Sequence, residues 1–534
     1  MKPSSPTSLV QLCFRLLLGV SATALAVRSV EGSFSPLNAE SFLAISFVIL
    51  IWLRSHSEAL QKQSGACLLS GRDAAVVALI AACIVISFAG TLHSPLIFDD
   101  YTHIDDMTHA TWRGLIASFT IPNRRIFFRP VGFVSYWLDY KWAGNAPFRW
   151  HLSSLAVHAL NSGLMYVLLR QFRMARLAAG VGALVFALQA SRAEAVCWTD
   201  ARFDLLSTFF VILCLILLNR YLDTNRVWLF LLSILWCTLA IFTKEATFCL
   251  PLLVLCLIPF RDRQFRSRLI QAAIMLSAVC VAGFAYRWWV LEGFGGYAVV
   301  NQRPVLADFN FLRISKALFF RLWALLYFPI NWSVEPGWLL RIGIVAIVAT
   351  MAAFCLISSA NRSRLVAAVA FVIASALPVA HLLLIGADMN GSRLLYLPVA
   401  GVALIWGVLF DGPQSLRAKL LLGAGLLLFQ AAALQHNLQM WRTVPVLARN
   451  ACTSIGTELA RDPRPVEVRN LPIKHQGVYF LANGFPQCVA LNSGQDAGRI
   501  RIDREPYPPV DRAVRRLFKW DDESQSFKEI MGSN

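Results

Sequence analysis

The chain has 534 residues, of which 57% are hydrophobic and only 15% are charged, against roughly 25% charged residues in soluble domains. This composition excludes an ordinary soluble enzyme, a disordered protein and a secreted disulfide scaffold. The net charge of +18 lies mainly in short loops between apolar runs, which is typical of membrane proteins and argues against nucleic-acid binding. Repeated apolar runs of about 20 residues predict a polytopic helical membrane protein.

Thirteen membrane-spanning helices are predicted from the apolar runs. Two come first, near Leu9–Val27 and Ser41–Leu53, and the Ala24-Leu25-Ala26 sequence would also suit a cleaved signal peptide. Because Arg15 interrupts the first apolar run, we favour a retained helix. The remaining spans lie near Ala74–Leu92, Leu152–Leu169, Leu177–Leu188, Leu205–Leu218, Val227–Phe242, Phe248–Pro259, Leu269–Trp289, Leu339–Ile357, Leu365–Ile385, Leu394–Phe410 and Leu420–Leu434.

The loop charges predict the orientation of these helices. With the N-terminus in the cytoplasm, 16 Lys and Arg residues fall in the internal cytoplasmic loops and outnumber the acids there, as the positive-inside rule requires. The C-terminus is then extracytoplasmic, in a membrane that we expect to be the inner (plasma) membrane of a bacterium. The apolar stretch Phe311–Trp332 is predicted to be re-entrant or interfacial, because a span there would place Arg362 and Arg364 outside.

The fold class predicted is an all-α polytopic membrane protein with a small α/β or β-rich soluble C-terminal domain. Residues 1–72 hold two N-terminal spans and a basic cytoplasmic loop, residues 73–436 form a membrane core with a long extracytoplasmic loop at 93–151, and residues 437–534 form the C-terminal domain. In that domain, Gly477-Val478-Tyr479-Phe480-Leu481 predicts short strands. Cys452 and Cys488 share this polar region, so a disulfide between them is possible.

The first long loop carries two adjacent carboxylates, Asp99 and Asp100, directly after the apolar Leu96-Ile97-Phe98. Adjacent carboxylates raise each other's pKa, so one of them can accept a proton near neutral pH. On an extended segment their side chains would point to opposite sides, so only one of the two can face an acceptor. Asp105 and Asp106 are predicted to lie in a solvated turn. A solvated acidic loop is the plainer alternative for the whole region.

Other extracytoplasmic loops carry clusters of mixed charge. A single charged residue at a helix end is commonly an anchor at the membrane surface, but several clusters on one face favour a lipid-phosphate substrate. Cations there would hold a phosphate, and carboxylates would bind hydroxyls or accept protons. The residues concerned are Arg129, Glu194, Arg202, Asp204, Lys244, Glu245 and Arg393.

One predicted helix carries a polar stripe of Ser154, His158 and Asn161, spaced three or four residues apart. Residues at this spacing share one face of a helix. A metal site is conceivable there, but hydrogen bonding between helices of the bundle is the favoured interpretation.

Six short elements follow one another between residues 73 and 436: Phe98-Asp99-Asp100, Phe128-Arg129-Pro130, His158-Ala159-Leu160-Asn161, Glu194-Ala195-Val196 with Arg202 and Asp204, Lys244-Glu245, and Arg393-Leu394-Leu395-Tyr396-Leu397-Pro398. As an ordered set they resemble the GT-C superfamily of polyprenyl-phosphate-sugar glycosyltransferases. The chain looks most like the membrane part of the transmembrane O-mannosyltransferases that carry tetratricopeptide repeats. The repeats are absent here, and Gln189-Ala190-Ser191-Arg192 stands where that family usually has a His-Pro element.

The resemblance implies a GT-C-like glycosyltransferase that moves a sugar from a polyprenyl-phosphate donor to a hydroxyl of a protein, glycan or lipid acceptor outside the cytoplasm. Asp99, or Asp100, would take the acceptor proton, and the resemblance favours Asp99. The clustered charges would bind the donor phosphate and sugar. No cofactor is implied with certainty, although the Asp pair could hold a divalent cation. The expected partners are membrane lipids, the lipid-linked sugar and the acceptor. The sugar and the acceptor are left open.

Two other classes fit the composition. A transporter or lipid flippase would also be basic and polytopic, but we would expect its charges near the middle of the membrane and broken helices in related halves. Here the acids cluster at helix ends. A non-catalytic membrane scaffold is the third class, and it would tolerate the loss of Asp99 without losing a glycan product.

Overall fold

The computed structural model describes residues 70–121, 127–293, 295, 299–300, 303–304, 311–357, 361–382, 385–502 and 516–530. The α-helices of these residues, in chain order, are α1 Gly71–Phe88, α2 Asp99–Thr108, α3 Trp112–Ala117, α4 Pro130–Ala143, α5 Pro147–Gln171, α6 Arg176–Leu188, α7 Arg192–Cys197, α8 Arg202–Thr224, α9 Val227–Ile241, α10 Leu250–Cys256, α11 Arg266–Leu291, α12 Phe311–Lys316, α13 Leu322–Tyr327, α14 Trp338–Ile357, α15 Arg362–Ala376, α16 Pro398–Phe410, α17 Leu416–Arg461 and α18 Phe485–Ser493. The strands are β1 Val299–Val300, β2 Arg303–Pro304, β3 Val466–Arg469, β4 Lys474–His475, β5 Val478–Tyr479, β6 Ile500–Ile502, β7 Arg516–Asp521 and β8 Ser526–Glu529.

Every predicted span from Ala74 onward coincides with an apolar helix, so the prediction of an α-helical polytopic membrane protein is confirmed. Within the described residues, six helical segments are long and apolar enough to cross a membrane: Gly71–Thr91, Pro147–Gln171, Thr199–Thr224, Arg263–Leu291, Arg362–Ala380 and Leu416–Arg461. Shorter apolar helices lie at Arg176–Leu188, Val227–Ile241, Glu245–Cys256, Leu340–Thr350 and Pro398–Phe410. The two spans predicted before residue 70 lie outside the described residues.

The core of the bundle forms around α8, which is buried along most of its length and packs against α5 and α9. Beside it, α6 packs closely against α16. A methyl group at Gly182 would lie 2.7 Å from the Ala403 carbonyl oxygen, so only glycine allows the two helices to approach this closely. The outer helix α11 instead exposes Ile274 and Val281, which is the apolar surface that lipid would cover.

The loops predicted to be cytoplasmic meet at one end of the bundle. At the start of α1, the buried Asp73 carboxylate accepts hydrogen bonds from Arg170 Nε at 3.1 Å and from Arg176 Nε at 3.2 Å. Nearby, the Ala175 backbone N–H donates to Asp411 Oδ1 at 2.8 Å. Contacts between loops far apart in the sequence thus close this end, and the remaining loops gather at the other end.

Residues 311–327 form a continuous helical segment with a π-helical turn in its middle. Leu322 and Leu326 are buried, whereas Phe319 and Phe320 are 60% and 74% exposed. One face therefore packs on the protein and the other is apolar and open. An exposed apolar face of this kind is typical of a helix at the membrane surface, and the re-entrant or interfacial placement stays a prediction.

The C-terminal region is continuous with the membrane core, because α17 runs for 46 residues through the predicted boundary at residue 437. Beyond it lies a four-stranded sheet in the order β6-β3-β7-β8, in which β3 is parallel to both β6 and β7, while β7 and β8 are antiparallel. Strands β4 and β5 form a small hairpin, which confirms the predicted strands around Val478. The disulfide Cys452–Cys488 is formed and ties α17 to α18.

Candidate active site

The predicted charged residues come together at the end of the bundle where the C-terminal region docks. Three ion pairs link them: Arg393 with Glu194, Lys244 with Asp204, and Arg129 with Glu245. The pairs also influence one another, since the Asp204 charge raises the pKa of both Arg129 and Arg393. Residues from five separate stretches of sequence therefore form one cluster.

The pair of Arg393 and Glu194 is held by several hydrogen bonds and lies against two aromatic rings. The Glu194 carboxylate bonds the Arg393 guanidinium and accepts hydrogen bonds from Ser392 Oγ at 3.1 Å and the Arg393 N–H at 3.2 Å. The guanidinium carbon lies 4.6 Å from the Trp198 ring centroid and 5.5 Å from that of Tyr479. Burial opposes the charge of Arg393, but Glu194 outweighs it and raises the pKa of Arg393 above its usual range. Arg393 therefore stays cationic.

The other two pairs lie side by side because Lys244 and Glu245 are adjacent in the chain. Lys244 Nζ is 2.5 Å from Asp204 Oδ2 in the first turn of α8. Arg129 donates from Nε to Glu245 Oε2 at 3.0 Å and bonds the second carboxylate oxygen as well. Burial lowers the pKa of Lys244, although Asp204 opposes this shift. Arg287, near the end of α11, interacts electrostatically with both Glu245 and Arg129.

Arg202 lies deeper than the other cations. It forms an ion pair with Asp139 of α4, and both side chains are at most 5% exposed. Its guanidinium carbon also lies 5.8 Å from the Tyr136 ring centroid and 5.9 Å from that of Trp150. The geometry thus gives Arg202 the position of a residue that joins α8 to α4.

Asp99 and Asp100 begin helix α2, and this corrects the prediction that they lie on an extended segment. Consecutive side chains on a helix diverge by about 100°, so the two carboxylates still face different surroundings. Asp105 and Asp106 are exposed on the same helix rather than in a turn. The helix follows directly on Phe98, whose φ of 54° is a conformation that residues other than glycine rarely adopt.

Asp100 is completely buried. Its Oδ2 accepts the Ile97 N–H at 3.1 Å and its Oδ1 accepts the Asp200 N–H at 3.0 Å. Burial raises the pKa of Asp100 to about 8. A divalent cation does not fit this pair well, because both Asp100 oxygens already serve backbone donors in a closed environment. Asp100 joins α2 to the turn Thr199–Ala201.

Asp99 is half-buried and faces the C-terminal region. Its Oδ1 accepts a hydrogen bond from Asn483 Nδ2 at 3.2 Å, and its backbone oxygen lies 3.0 Å from His103 Nδ1. The same His103 nitrogen is 3.6 Å from Asp200 Oδ1. Asn483, Tyr479 and His103 were not predicted as site residues. Asp99 and Asn483 are 384 positions apart in the sequence, which explains why no local pattern pointed to this contact.

The polar stripe on α5 is used for hydrogen bonding between helices, as favoured. His158 bonds the Tyr396 hydroxyl at 2.7 Å and the Ala187 carbonyl at 3.0 Å through its two ring nitrogens. Asn161 donates to the Leu205 carbonyl at 2.9 Å. These bonds fix α5 against neighbouring segments just below the charged cluster.

Comparisons with known proteins give structural similarity only. No protein-family model matches the chain, and no curated protein matches it in sequence. The fold is similar to the crystal structure of ArnT from Cupriavidus metallidurans in the apo state, at 14% identity and a TM-score of 0.46, covering 85% of this chain and 94% of that one. It is also similar to the Archaeoglobus fulgidus oligosaccharyltransferase in complex with zinc and sulfate, at 12% identity and a TM-score of 0.41, covering 80% of this chain and 62% of that one. At these TM-scores, function has to be argued from the site.

Proposed function

We propose that this protein is a GT-C-type membrane glycosyltransferase that moves a sugar from a polyprenyl-phosphate donor to a hydroxyl acceptor. The observation that carries this proposal is the cluster of three ion pairs at one end of an apolar helix bundle. Tyr479 links this cluster to Asp99, because it interacts electrostatically with both Arg393 and Asp99. A lipid-linked sugar phosphate needs both an apolar bundle and a charged cluster at its end. Its chain requires apolar helices, and its phosphate and sugar require charged and hydrogen-bonding groups at their end.

Asp99 is the proposed general base. It takes the proton of the acceptor hydroxyl while that oxygen attacks the anomeric carbon. The bond between the anomeric carbon and the phosphate oxygen breaks, its electron pair leaves with the lipid phosphate, and the configuration inverts. Asp100 is not suited to this step, because its carboxylate is enclosed and already accepts two backbone hydrogen bonds.

Arg393 and Arg129 are the proposed ligands of the leaving phosphate. Their side chains are 23% and 16% exposed, compared with 6% for Lys244 and 4% for Arg202. A fixed cation stabilises the charge that develops on the phosphate as the bond breaks. Glu194 and Glu245 orient these two cations, and Asp204 pairs with Lys244. All three carboxylates can accept hydrogen bonds from sugar hydroxyls.

The proposed site lies on the extracytoplasmic side of the membrane. The cationic loops close the opposite end of the bundle, which the positive-inside rule assigns to the cytoplasm. The disulfide between Cys452 and Cys488, on the same side as the site, supports this placement because disulfides persist in oxidising compartments.

A transporter and a scaffold are less well supported. The charges of the site lie at the ends of helices, whereas a transporter would be expected to hold its charges near the membrane centre. A scaffold has no need of three ion pairs beside a half-buried carboxylate. The donor sugar and the acceptor are not defined by these contacts.

Glycan mass spectrometry tests the proposal. A strain lacking the gene is complemented with the wild type, with Asp99→Asn or with Asp105→Asn, an exposed carboxylate of the same helix. We expect the wild type and Asp105→Asn to restore a glycan product and Asp99→Asn to restore none, at equal protein levels in the membrane. Restoration by Asp99→Asn would exclude Asp99 as the base.

A further inference from the structure

The C-terminal region is fastened over the candidate site by its small hairpin. Asn331 Nδ2 donates to the Gln476 carbonyl at 2.8 Å, and Asn390 Nδ2 donates to the Gly477 carbonyl at 3.3 Å. Lys474 forms an ion pair with Asp388. These contacts hold β4 and β5 against two loops of the membrane core, so the residues that follow have a defined position.

The segment after the hairpin touches the start of α2. Gly484 lies at φ +69°, and a Cβ there would be 2.3 Å from the Phe98 carbonyl oxygen. No other residue type fits such a close approach without movement. Tyr479 stacks on Phe98 with ring centroids 4.7 Å apart. The residue before Gly484 is Asn483, whose amide bonds Asp99.

The disulfide anchors this segment from its other side. Cys488 lies in the first turns of α18, a few residues after Asn483, and it is bonded to Cys452 of α17. The Asn483 backbone is therefore held between a docked hairpin and a cross-linked helix. Because a carboxylate can only accept, the amide nitrogen of Asn483 must be the group that faces Asp99.

We propose that Asn483 is a positioning residue, which orients the Asp99 carboxylate and favours its ionised form, so that the C-terminal region completes the active site. This inference rests on the proposed function. A hydrogen bond to the charged form of an acid stabilises that form, and a base must be ionised to take a proton. Fixing one carboxylate oxygen also fixes the direction of the other.

Other titratable groups lie around Asp99 and stay constant in the test. Asp100 and His103 lie on the same helix, Tyr136 approaches from α4, Asp200 from the turn Thr199–Ala201, and Tyr479 from the hairpin. None of them is altered when the Asn483 amide is exchanged.

The test compares Asn483→Ala and Asn483→Asp with the wild type and with Gln487→Ala, a half-buried residue on α18. The full-length proteins are purified in nanodiscs and assayed with a panel of polyprenyl-phosphate-linked hexoses and an extract of the deletion strain as acceptor source. For each, kcat, KM for the donor and the pH dependence of kcat are measured. Asn483→Asp has the same shape as the native residue, so it tests the donor group without disturbing packing.

We expect Asn483→Ala to lower kcat by about tenfold, which corresponds to one lost hydrogen bond to a charged group, with KM for the donor unchanged. The acid limb of the kcat profile should move to higher pH, and Asn483→Asp should move it further because a second negative charge disfavours ionisation of Asp99. Gln487→Ala should match the wild type in both readouts.

Wild-type pH profiles in both Asn483 variants would overturn the inference, provided that Asp99→Asn is inactive in the same assay. An active Asp99→Asn, or a wild type that turns over no donor in the panel, would instead contradict the proposed function. A lower kcat with an unmoved acid limb would show that Asn483 serves only to hold the fold, and this too would overturn the inference.

Discussion

Arg393 and Glu194 pair across 199 residues of sequence, and each is fixed at more than one point. Glu194 is almost completely buried and bonds both the guanidinium and the backbone N–H of Arg393. The guanidinium lies against Trp198 of the membrane core and Tyr479 of the C-terminal region. A single cation thus touches both parts of the chain and remains partly open to a ligand.

The Arg393→Ala variant is expected to lose turnover by about 100-fold or more, as when one contact to transition-state charge is removed. It also leaves the buried Glu194 carboxylate without its cation, so the apparent Tm should fall. The double variant Arg393→Ala with Glu194→Gln should recover much of the Tm without recovering turnover. Steady-state rates and thermal unfolding in the same detergent measure the two effects. Recovery of turnover in the double variant would rule out Arg393 as a phosphate ligand.

The pair of Arg202 and Asp139 is expected to matter for stability. Breaking a buried ion pair by removing one partner costs about 3–5 kcal/mol, because the remaining charge has no compensation. Arg202→Ala should therefore lower the apparent Tm more than Arg129→Ala does, since Arg129 is more exposed. Differential scanning fluorimetry on purified variants gives the comparison. Equal Tm values would show that Arg202 is not a structural anchor and would return it to the set of phosphate ligands.

Asp100 is expected to make stability depend on pH. Its pKa is about 8 in the folded protein and 3.8 in the unfolded chain, so between about pH 4 and pH 8 the folded state holds a proton that the unfolded state releases. The free energy of unfolding therefore falls as the pH rises through this window and levels off above it. Asn cannot ionise, so the Tm of Asp100→Asn should fall less than that of the wild type from pH 5 to pH 8. Parallel Tm curves would contradict the raised pKa.

The disulfide between Cys452 and Cys488 is expected to support both stability and activity. Removing a native disulfide typically costs about 2–4 kcal/mol, and here it would also loosen the segment that contacts Asp99. Cys488→Ser should lower both the apparent Tm and kcat, and a reductant should have the same effect on the wild type only. A reductant effect that persists in Cys488→Ser would have to come from another cysteine.

The orientation of the chain is open to direct labelling. Ser524 is exposed in the turn between β7 and β8, and Ser363 is exposed at the start of α15, at the opposite end of the bundle. A membrane-impermeant maleimide should label Ser524→Cys while the inner membrane is intact. It should label Ser363→Cys only after the inner membrane is disrupted. Both are compared with the unsubstituted protein, because native cysteines give a background. The reverse pattern would overturn the proposed extracytoplasmic site.

The sequence determined the features that depend on neighbouring residues. Apolar runs identify every helix from α1 onward that is long enough to cross a membrane, because burial in lipid requires a continuous apolar stretch. The charged residues after helix ends indicate which side chains gather at one face. The loop charges predict an orientation that the labelling experiment tests. The strands near Val478 followed from a local alternating pattern, whereas the bond between Cys452 and Cys488 was only one possibility in the sequence.

Only the tertiary structure decided which charges pair and which carboxylate is open. Nothing local distinguishes Asp99 from Asp100, and the buried state of Asp100 follows from the packing of α2 against the turn Thr199–Ala201. Likewise, Asn483 joins the site only because α17 and its disulfide return the chain over the core. The hydropathy of a helix depends only on its own consecutive residues. The ion pairs and hydrogen bonds of the site depend on the positions of several helices at once.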